Sequence, residues 1–503
     1  MKSNPKNISI MKIKNIIHYI LVGATIGLTS CDDFLDLDPI SEATSGNAYS
    51  TASDAEAALT GAYDSFQSEY YIWDNIIFND VISDNYYAGG DNPEVIAVAE
   101  LNFSPTNGRL FNNWTQLYNA ISKANVVLQK VPAINDLKLD QNNRREQILG
   151  EAAFLRAFHY YQLVKMWGGV PLVLEPVASL DPAETQLPRS SVTEVYAQII
   201  RDLEFALERL PEVYGPSQSV NKARATSGSA NALMATVYAH KPDRDYQKVL
   251  FYAQEVEKSA AGYRLLQNFA HLFDGNHYNN DESIMEIQYT GDTEANWGPQ
   301  LLLPPSISGD SWRKFVVPSV NLINAFDAEG DVIRKNASFL FESVPWADEF
   351  WGNTVGSSIP FAFKWKSANG WASTNRQYIF RLADIVLLKA EALNELDQLE
   401  SARIELNRIR SRAGLGDTPA SNKNEMRLAI LNERRLELCQ EARRWDDLRR
   451  LNMAVEVINS LNEIDLRTNV RVDFNMTENK MLLPIPQQER NRNPNLSQNP
   501  GYN

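Results

Sequence analysis

Apolar residues recur at helical spacing through most of this chain. From Asp54 to Phe66, with Thr51 or Ser53 available as a cap, Ala55, Leu59, Ala62, Tyr63 and Phe66 share one face. Trp114 to Val131 repeats the pattern through Leu117, Tyr118, Ile121, Ala124, Val127 and Leu128, until Pro132 removes the donor that a further turn needs. Gln147 to Met166 is stopped by Gly168-Gly169, and Val192 to Leu210 by Pro211. Further helices are predicted at 227–240 with 245–260, at 380–397 with 399–412, and at 424–442 and 444–460.

These helices come as neighbours joined by short turns, with small residues where two helices would touch. Ala390 and Ala402 are twelve residues apart, as in a tetratricopeptide unit, and Ala232, Ala235 and Ala239 before Ala253 give a looser version. The expected fold class is mainly α: tetratricopeptide-like helical-hairpin repeats carrying an irregular, partly β, aromatic-rich insertion. The insertion spans 262–379, is rich in Gly and Pro, and holds six of the ten tryptophans. The alternation Ser283-Ile284-Met285-Glu286-Ile287-Gln288-Tyr289 predicts strand within it. Trp114, Trp167 and Trp445 fall in helices and are assigned to the core. The resulting division is N-terminal repeats at 51–261, the insertion, C-terminal repeats at 380–480, and an extended, non-helical strap at 481–503, where Leu483-Pro484-Ile485-Pro486 enforces open backbone.

The first 30 residues read as an address. Lys12 and Lys14 precede a run of about 13 mostly apolar residues from Ile16 to Leu28, which suits a secretory signal and falls short of the about 20 that span a bilayer. Met11 to Ser30 is by itself a complete leader. Leu28-Thr29-Ser30-Cys31 forms a lipobox, so Cys31 is the expected lipidation site and the anchor to outer-membrane lipid, with 31–50 as an acidic, Ser/Thr-rich tether. The formal charge of −15 becomes −19 once the leader leaves with its four lysines and no acids. So acidic a chain is a poor nucleic-acid binder, since phosphate contacts need clustered cations. Cys439, the other cysteine, has no partner for a disulfide and lies in a helical context, where a buried inert thiol is expected.

Several short motifs in fixed order resemble one family, the SusD/RagB lipoproteins of Bacteroidota outer membranes. They are Cys31-Asp32-Asp33-Phe34-Leu35 with Pro39; Trp114-x-x-x-Tyr118 with Asn125; and Glu151-Ala152-x-Phe154-Leu155-Arg156-Ala157 leading to Gly169-Val170-Pro171-Leu172. Arg381-Leu382-Ala383-Asp384 then precedes Leu387-Leu388-x-Ala390-Glu391-Ala392, Glu433-Arg434-Arg435-x-Glu437-Leu438 leads to Arg444-Trp445-x-Asp447-Leu448, and Leu483-Pro484-Ile485-Pro486 closes with Asn499-Pro500-Gly501-Tyr502. The resemblance implies four tetratricopeptide-like units, an irregular ligand-binding region, and a TonB-dependent SusC-like barrel transporter as partner at the cell surface. Family members mostly bind glycans and some bind peptides. Ala442 departs from the family, which usually has glycine after the glutamate.

Sugar rings have apolar faces and polar edges, so a protein holds them by stacking aromatic rings and aiming hydrogen-bonding groups at the hydroxyls. Two stretches fit. One is the Gly-containing region near 70–110, with Trp73, Asp84, Asn85, Tyr86 and Tyr87; the other is the insertion, with Trp297, Trp312, Trp351 and Trp371. These nine are the candidate glycan-binding residues. The enzymatic alternative, a glycoside hydrolase, requires paired carboxylates. Glu433, Glu437 and Glu441 recur every four residues, yet with Arg435, Arg443 and Arg444 alongside, and Arg408, Arg410 and Arg412 on a neighbouring helix, they read as an inter-helical ion network. No HExxH, GxSxG, P-loop or GxGxxG is present, and His271 with His277, near Asp274 and Asp281, is the only histidine pair that draws notice. The expectation is no catalytic residue, no metal and no cofactor: a non-enzymatic glycan-binding protein, with peptide binding as the alternative.

Overall fold

Thr51 rather than Ser53 caps the first helix: its Oγ1 accepts from the Asp54 amide, the Asp54 carboxylate closes the box, and α1 runs Ala52–Tyr63. The computed structural model describes residues 49–502. The expected leader, the lipobox at Cys31 and most of the tether lie outside the described residues.

Asn107 caps α2, Gly108–Lys130, so that helix starts a turn and a half before the apolar stripe does. α3 (Arg144–Trp167), α4 (Val192–Leu207), α5 (Ser227–His240) and α6 (Tyr246–Lys258) follow, each packed on its predecessor. The chain then leaves the helical stack and re-enters it with α7 (Leu382–Glu395), which packs on α6; α8 (Leu399–Arg412) and α9 (Lys423–Leu438) pack in turn on α7. The repeats on either side of the insertion therefore form one continuous stack. Ala232, Ala235, Ala239, Ala253, Ala390 and Ala402 are all fully buried, which lets the helices approach closely. Trp114, Trp167 and Trp445 are core residues, as is Cys439, whose thiol burial pushes up. No helix among the described residues is long and apolar enough to cross a membrane.

The motif residues staple this stack to its connections. Tyr118 Oη donates to Pro171 O at 2.8 Å and Asn125 Nδ2 to Val173 O at 2.9 Å, while Arg156 pairs with Asp202 at 2.6 Å. Trp167 Nε1 donates to Pro484 O at 3.1 Å and Asn499 Nδ2 to Trp167 O at 3.0 Å, which docks the C-terminal strap. That strap is extended where Leu483 and Ile485 are buried, but one helical turn, Gln487–Arg492, interrupts it, contrary to the expectation of no helix.

The insertion is closed at its base by strands. β1 (Tyr86–Tyr87) comes from the N-terminal region; β2 (Ser283–Ile287), β3 (Val317–Pro318), β4 (Phe339–Ser343), β5 (Ser358–Ala362) and β6 (Gln377–Arg381) belong to the insertion. β2 pairs antiparallel with β6, joining the insertion's two ends, and β4 with β5. β1 pairs with β3 in the register Tyr86↔Pro318 and Tyr87↔Val317, which ties the N-terminal region to the insertion.

The single helix expected over 444–460 breaks into Arg444–Arg450 and Ala454–Ser460, with Asn452 left-handed (φ 58°) between them, and two further expectations change. The stretch from Tyr70 is no loop: Tyr70–Asp74 and Ile77–Val81 wind as π-helical turns with every side chain buried. Tyr70, Tyr71, Ile72, Trp73, Ile76, Ile77, Phe78, Val81 and Ile82 make the segment mostly apolar, and its polar residues find partners inside the protein, Asp74 with Arg109 at 2.6 Å and Asp80 with the Ala442 amide at 2.9 Å, so it goes to the core. The second concerns α9, which stops at Leu438 instead of running to 442, because Gln440 (φ 63°) and Ala442 (φ 56°) are left-handed.

Candidate functional site

Residues 84–87 leave the π-helical segment and meet arginines from the C-terminal repeats. Asp84 takes a bidentate pair from Arg444 at 2.7 and 2.8 Å and a third contact from Arg435 at 3.1 Å. Burial would raise its carboxyl, but the two guanidinium charges outweigh this and hold it well below the usual carboxylate range. Asn85 Oδ1 accepts from Arg435 Nε at 2.8 Å. Asp84 and Asn85 thus anchor the fold with the groups assigned to sugar hydroxyls, and Asn85 has no exposure.

The next residues open onto a cavity of ≈ 310 Å³, at the lower end of the range of small-molecule sites. Tyr86, Tyr87, Phe350 and Phe474 supply its rings. Tyr87 Oη donates to Asp348 Oδ1 at 2.6 Å, and its ring meets Phe350 edge-on with centroids 4.7 Å apart. Arg313, following Trp312, pairs with Glu349 and lies 3.6 Å from Asp348, while its Nε has no hydrogen-bond partner in the protein. The far wall is a hairpin, β7 (Ile464–Asp465) and β8 (Val470–Arg471), docked on the insertion by the Leu466 amide donating to Glu349 O at 2.7 Å. It contributes Asp465 and Arg467, paired at 2.8 Å, beside Glu463, whose carboxyl burial pushes up. Four rings and several charged hydrogen-bonding groups around one hollow can hold a ligand with apolar faces and polar edges.

The tryptophans divide. Trp73 is only 2% exposed and belongs to the core; the expectation of a ligand-facing ring there fails because the helix carrying it is interior. It is the hub of a cluster, with Trp297 at 6.4 Å and Phe315 at 5.7 Å, and Phe315 in turn 5.7 Å from Trp312. Lys314 Nζ lies 3.6 Å from the Trp312 centroid and is held by Gln300 O at 3.2 Å and Ser308 Oγ at 3.1 Å, which fixes that loop. Gly298 is required here, since a Cβ would come within 2.9 Å of Ile72 O and of the Trp365 ring. The turn Asn369–Trp371 packs on Gly298–Leu301 and carries the one strongly exposed tryptophan, Trp371, at 48%. Asn369, Gly370 and Trp371 are all left-handed (φ 45°, 58° and 78°), an uncommon conformation for a bulky residue and one that presents the indole outward. Trp351 is half-buried, donates to Pro318 O at 2.9 Å and packs edge-on against Phe341 at 5.9 Å.

Of the nine candidates, the fold brings Tyr87 to the cavity with Asp84 and Tyr86 in its wall at only 2% exposure, places Trp312 next to its Arg313, and sets Trp297 and Trp371 on adjoining turns. Trp73 and Asn85 are interior, and Trp351 braces β3. Glu349, Phe350, Glu463, Asp465, Arg467 and Phe474 were not anticipated; the Thr468-Asn469 turn between short apolar runs was the available signal for the hairpin.

The glutamate series is an ion network. Glu437 accepts from Arg381 at 2.5 Å, from Arg334 at 3.0 Å and from Arg412; Glu433 pairs with Arg334 at 2.6 Å and Arg410 at 3.2 Å; Glu441 pairs with Lys364 at 2.5 Å and Arg381 at 2.6 Å. Three guanidinium groups outweigh burial and hold the Glu437 carboxyl far below its usual range. Arg435 and Arg444 serve Asp84 instead, Arg443 serves Asp384 at 2.9 Å, and Arg408 serves Glu257 and Glu405.

Residues 360–502 match the model of the SusD family, and residues 33–239 match a model described as starch-binding associating with outer membrane. SusD-like protein P2 of Formosa agariphila is 28% identical, covering 94% of this chain and 97% of its own. The starch-binding protein SusD of Bacteroides thetaiotaomicron is 24% identical over 95% of this chain and 96% of its own. Among solved structures, a laminarin-binding SusD-like protein superposes with a TM-score of 0.74 at 26% identity, covering 90% of this chain and all of that one.

Proposed function

The chain belongs to the SusD family, and from that premise we propose that it captures oligosaccharides without altering them and delivers them to a barrel transporter. The observation that carries this reading is the ≈ 310 Å³ cavity, where Tyr86, Tyr87, Phe350 and Phe474 stand among Arg313, Glu349, Glu463, Asp465 and Arg467. A sugar ring lies against the phenol and phenyl faces, and its hydroxyls meet the charged rim. Trp312, Trp297 and Trp371 extend the contact to further sugar units. In this reading Cys31 carries lipid and holds the protein on the outer membrane, and the partner that accepts the ligand is a TonB-dependent SusC-like barrel. Two relatives named for laminarin and starch binding make glucans the first ligands to try.

Calorimetric titration against laminarin, starch fragments and a wider glycan panel tests the proposal. Tyr87→Ala should weaken the responding glycan by roughly tenfold, as loss of a ring contact in a desolvated pocket does. No heat with any glycan, together with heat from a peptide mixture, would transfer the site to peptides; release of new reducing ends would make the protein a hydrolase.

A further inference from the structure

A second cluster of chemistry-bearing side chains lies on the surface turn before β2. Among the described residues, His271, Asp274 and His277 each bring one ligand-type atom to within 4.8 Å of the others. The two imidazoles lie parallel, with centroids 3.8 Å apart and planes 9° apart. The carboxylate of Asp274, between them in sequence, is held: Asp274 Oδ1 accepts from the amides of Asn276 at 2.8 Å and His277 at 3.2 Å, and Oδ2 lies 2.7 Å from His277 Nδ1. Asn280 Nδ2 braces the turn on His277 O at 2.9 Å. His271 and Asp274 are half-buried and His277 is exposed, so an ion could reach all three.

We propose that this turn is a zinc-binding site. Two imidazole nitrogens and one carboxylate oxygen form a donor set suited to Zn²⁺, with a fourth position left for water; Ca²⁺ and Mg²⁺ require oxygen donors throughout. Bonds of about 2.0–2.1 Å put the donor atoms of a tetrahedral site about 3.3 Å apart, a closure that rotation of the two imidazoles about the held carboxylate supplies. The sequence spacing matches no standard zinc pattern, and it is the turn that gathers the ligands. A bound ion would also brace a neighbouring segment: Tyr278 Oη donates to Thr374 O at 3.0 Å and Arg376 lies 4.4 Å over the Tyr278 ring, just beyond the turn that carries Trp371. The zinc site stands independently of any glycan.

Titration of ZnCl₂ into the untagged full-length protein in a non-chelating buffer is the test. The expected result is one equivalent bound, with His271→Ala and His277→Ala each weakening it at least tenfold and Asp274→Asn between about tenfold and a hundredfold. Zinc should raise the melting temperature of the wild type but not that of the double histidine variant. Zinc-free melting of the variants should match the wild type, which separates loss of the site from loss of the fold. Cobalt should give the visible absorption of a four-coordinate site. Unchanged zinc affinity in the double variant, or no zinc binding below about 1 mM, would overturn the assignment.

Discussion

Ala442 occupies a conformation that alanine adopts at a cost. Its φ of 56° is left-handed, its side chain is buried, and its amide donates to Asp80 Oδ2 at 2.9 Å, so neither neighbour can relax away. A left-handed residue with a Cβ costs about 1–2 kcal/mol, and glycine returns about 0.4–1 kcal/mol of that through greater freedom of the unfolded chain. Ala442→Gly should therefore stabilise the protein by roughly 0.5–1 kcal/mol, read as a higher urea midpoint; a lower midpoint would mean that the methyl group's packing outweighs the backbone. Asp80 adds a pH dependence. Burial pushes its carboxyl up to about 7, against the amide bond from Ala442 that favours the charge. Below the ordinary carboxylate pKa both folded and unfolded chains hold the proton. Between there and about 7 only the folded chain keeps it, so each unit of rising pH favours unfolding, and the loss, of the order of 4 kcal/mol, is complete above the folded pKa. Asp80→Asn keeps an acceptor for Ala442 and should flatten the stability profile between pH 5 and pH 8 relative to wild type. The sequence exposed Ala442 as a departure from glycine, but helix periodicity ran straight through it, because a left-handed turn leaves no mark on the spacing of apolar residues.

At the scale of elements, the motifs between Arg381 and Leu448 that carried the family resemblance turn out to be the charged core. Arg381 with Glu437 and Glu441, Asp384 with Arg434 and Arg443, Glu391 with Arg450, and Asp447 with Arg434 link β6, α7, α9 and the helix Arg444–Arg450. The order of these residues revealed the fold because each one has a partner a helix away. They reveal little about ligand, because their hydrogen-bonding capacity faces inward. The network itself was legible in the every-fourth-residue glutamates; its exact pairs were not, since Arg435 and Arg444 reach back to Asp84 across the chain. Glu437→Gln leaves Arg334, Arg381 and Arg412 short of charge in the interior and should destabilise by about 3–5 kcal/mol. Removing the exposed Lys258–Glu255 pair by Lys258→Ala should change stability by less than about 1 kcal/mol. Denaturant unfolding of both variants makes the comparison, and similar small losses in the two would show that the buried network is not what holds the repeats together. The π-helical segment was misread for the opposite reason. Tyrosine and tryptophan alternating with Asp and Asn look like a binding loop, and the nine apolar residues around Asp74, Asn75, Asn79 and Asp80 are what signals an interior helix.

For the whole molecule, the candidate site is a junction of three distant stretches: Asp84–Tyr87 from the first region, Arg313 and Glu349-Phe350 from the insertion, and Glu463–Phe474 from the last. Spacing along the chain cannot announce such a meeting, so the sequence supplied Tyr86, Tyr87 and Trp312 by residue type and missed the hairpin altogether. The division of aromatics between the cavity and the outward-facing Trp371 leads to a prediction about ligand length. If the cavity takes the first sugar units and the turn Asn369–Trp371 meets later ones, affinity should rise with oligosaccharide length in the wild type. Trp371→Ala should abolish that rise, a loss of about 1–3 kcal/mol for the longest ligand, in line with removal of one exposed stacking ring, and leave the shortest ligand unchanged. Trp371 contributes little to the core at 48% exposure, so the variant should melt as the wild type does. Tyr87→Ala should act at every length, because the phenol stands at the cavity. Calorimetry of a graded oligosaccharide series against both variants distinguishes the two contributions, and equal losses at all lengths in Trp371→Ala would place that indole outside the ligand path.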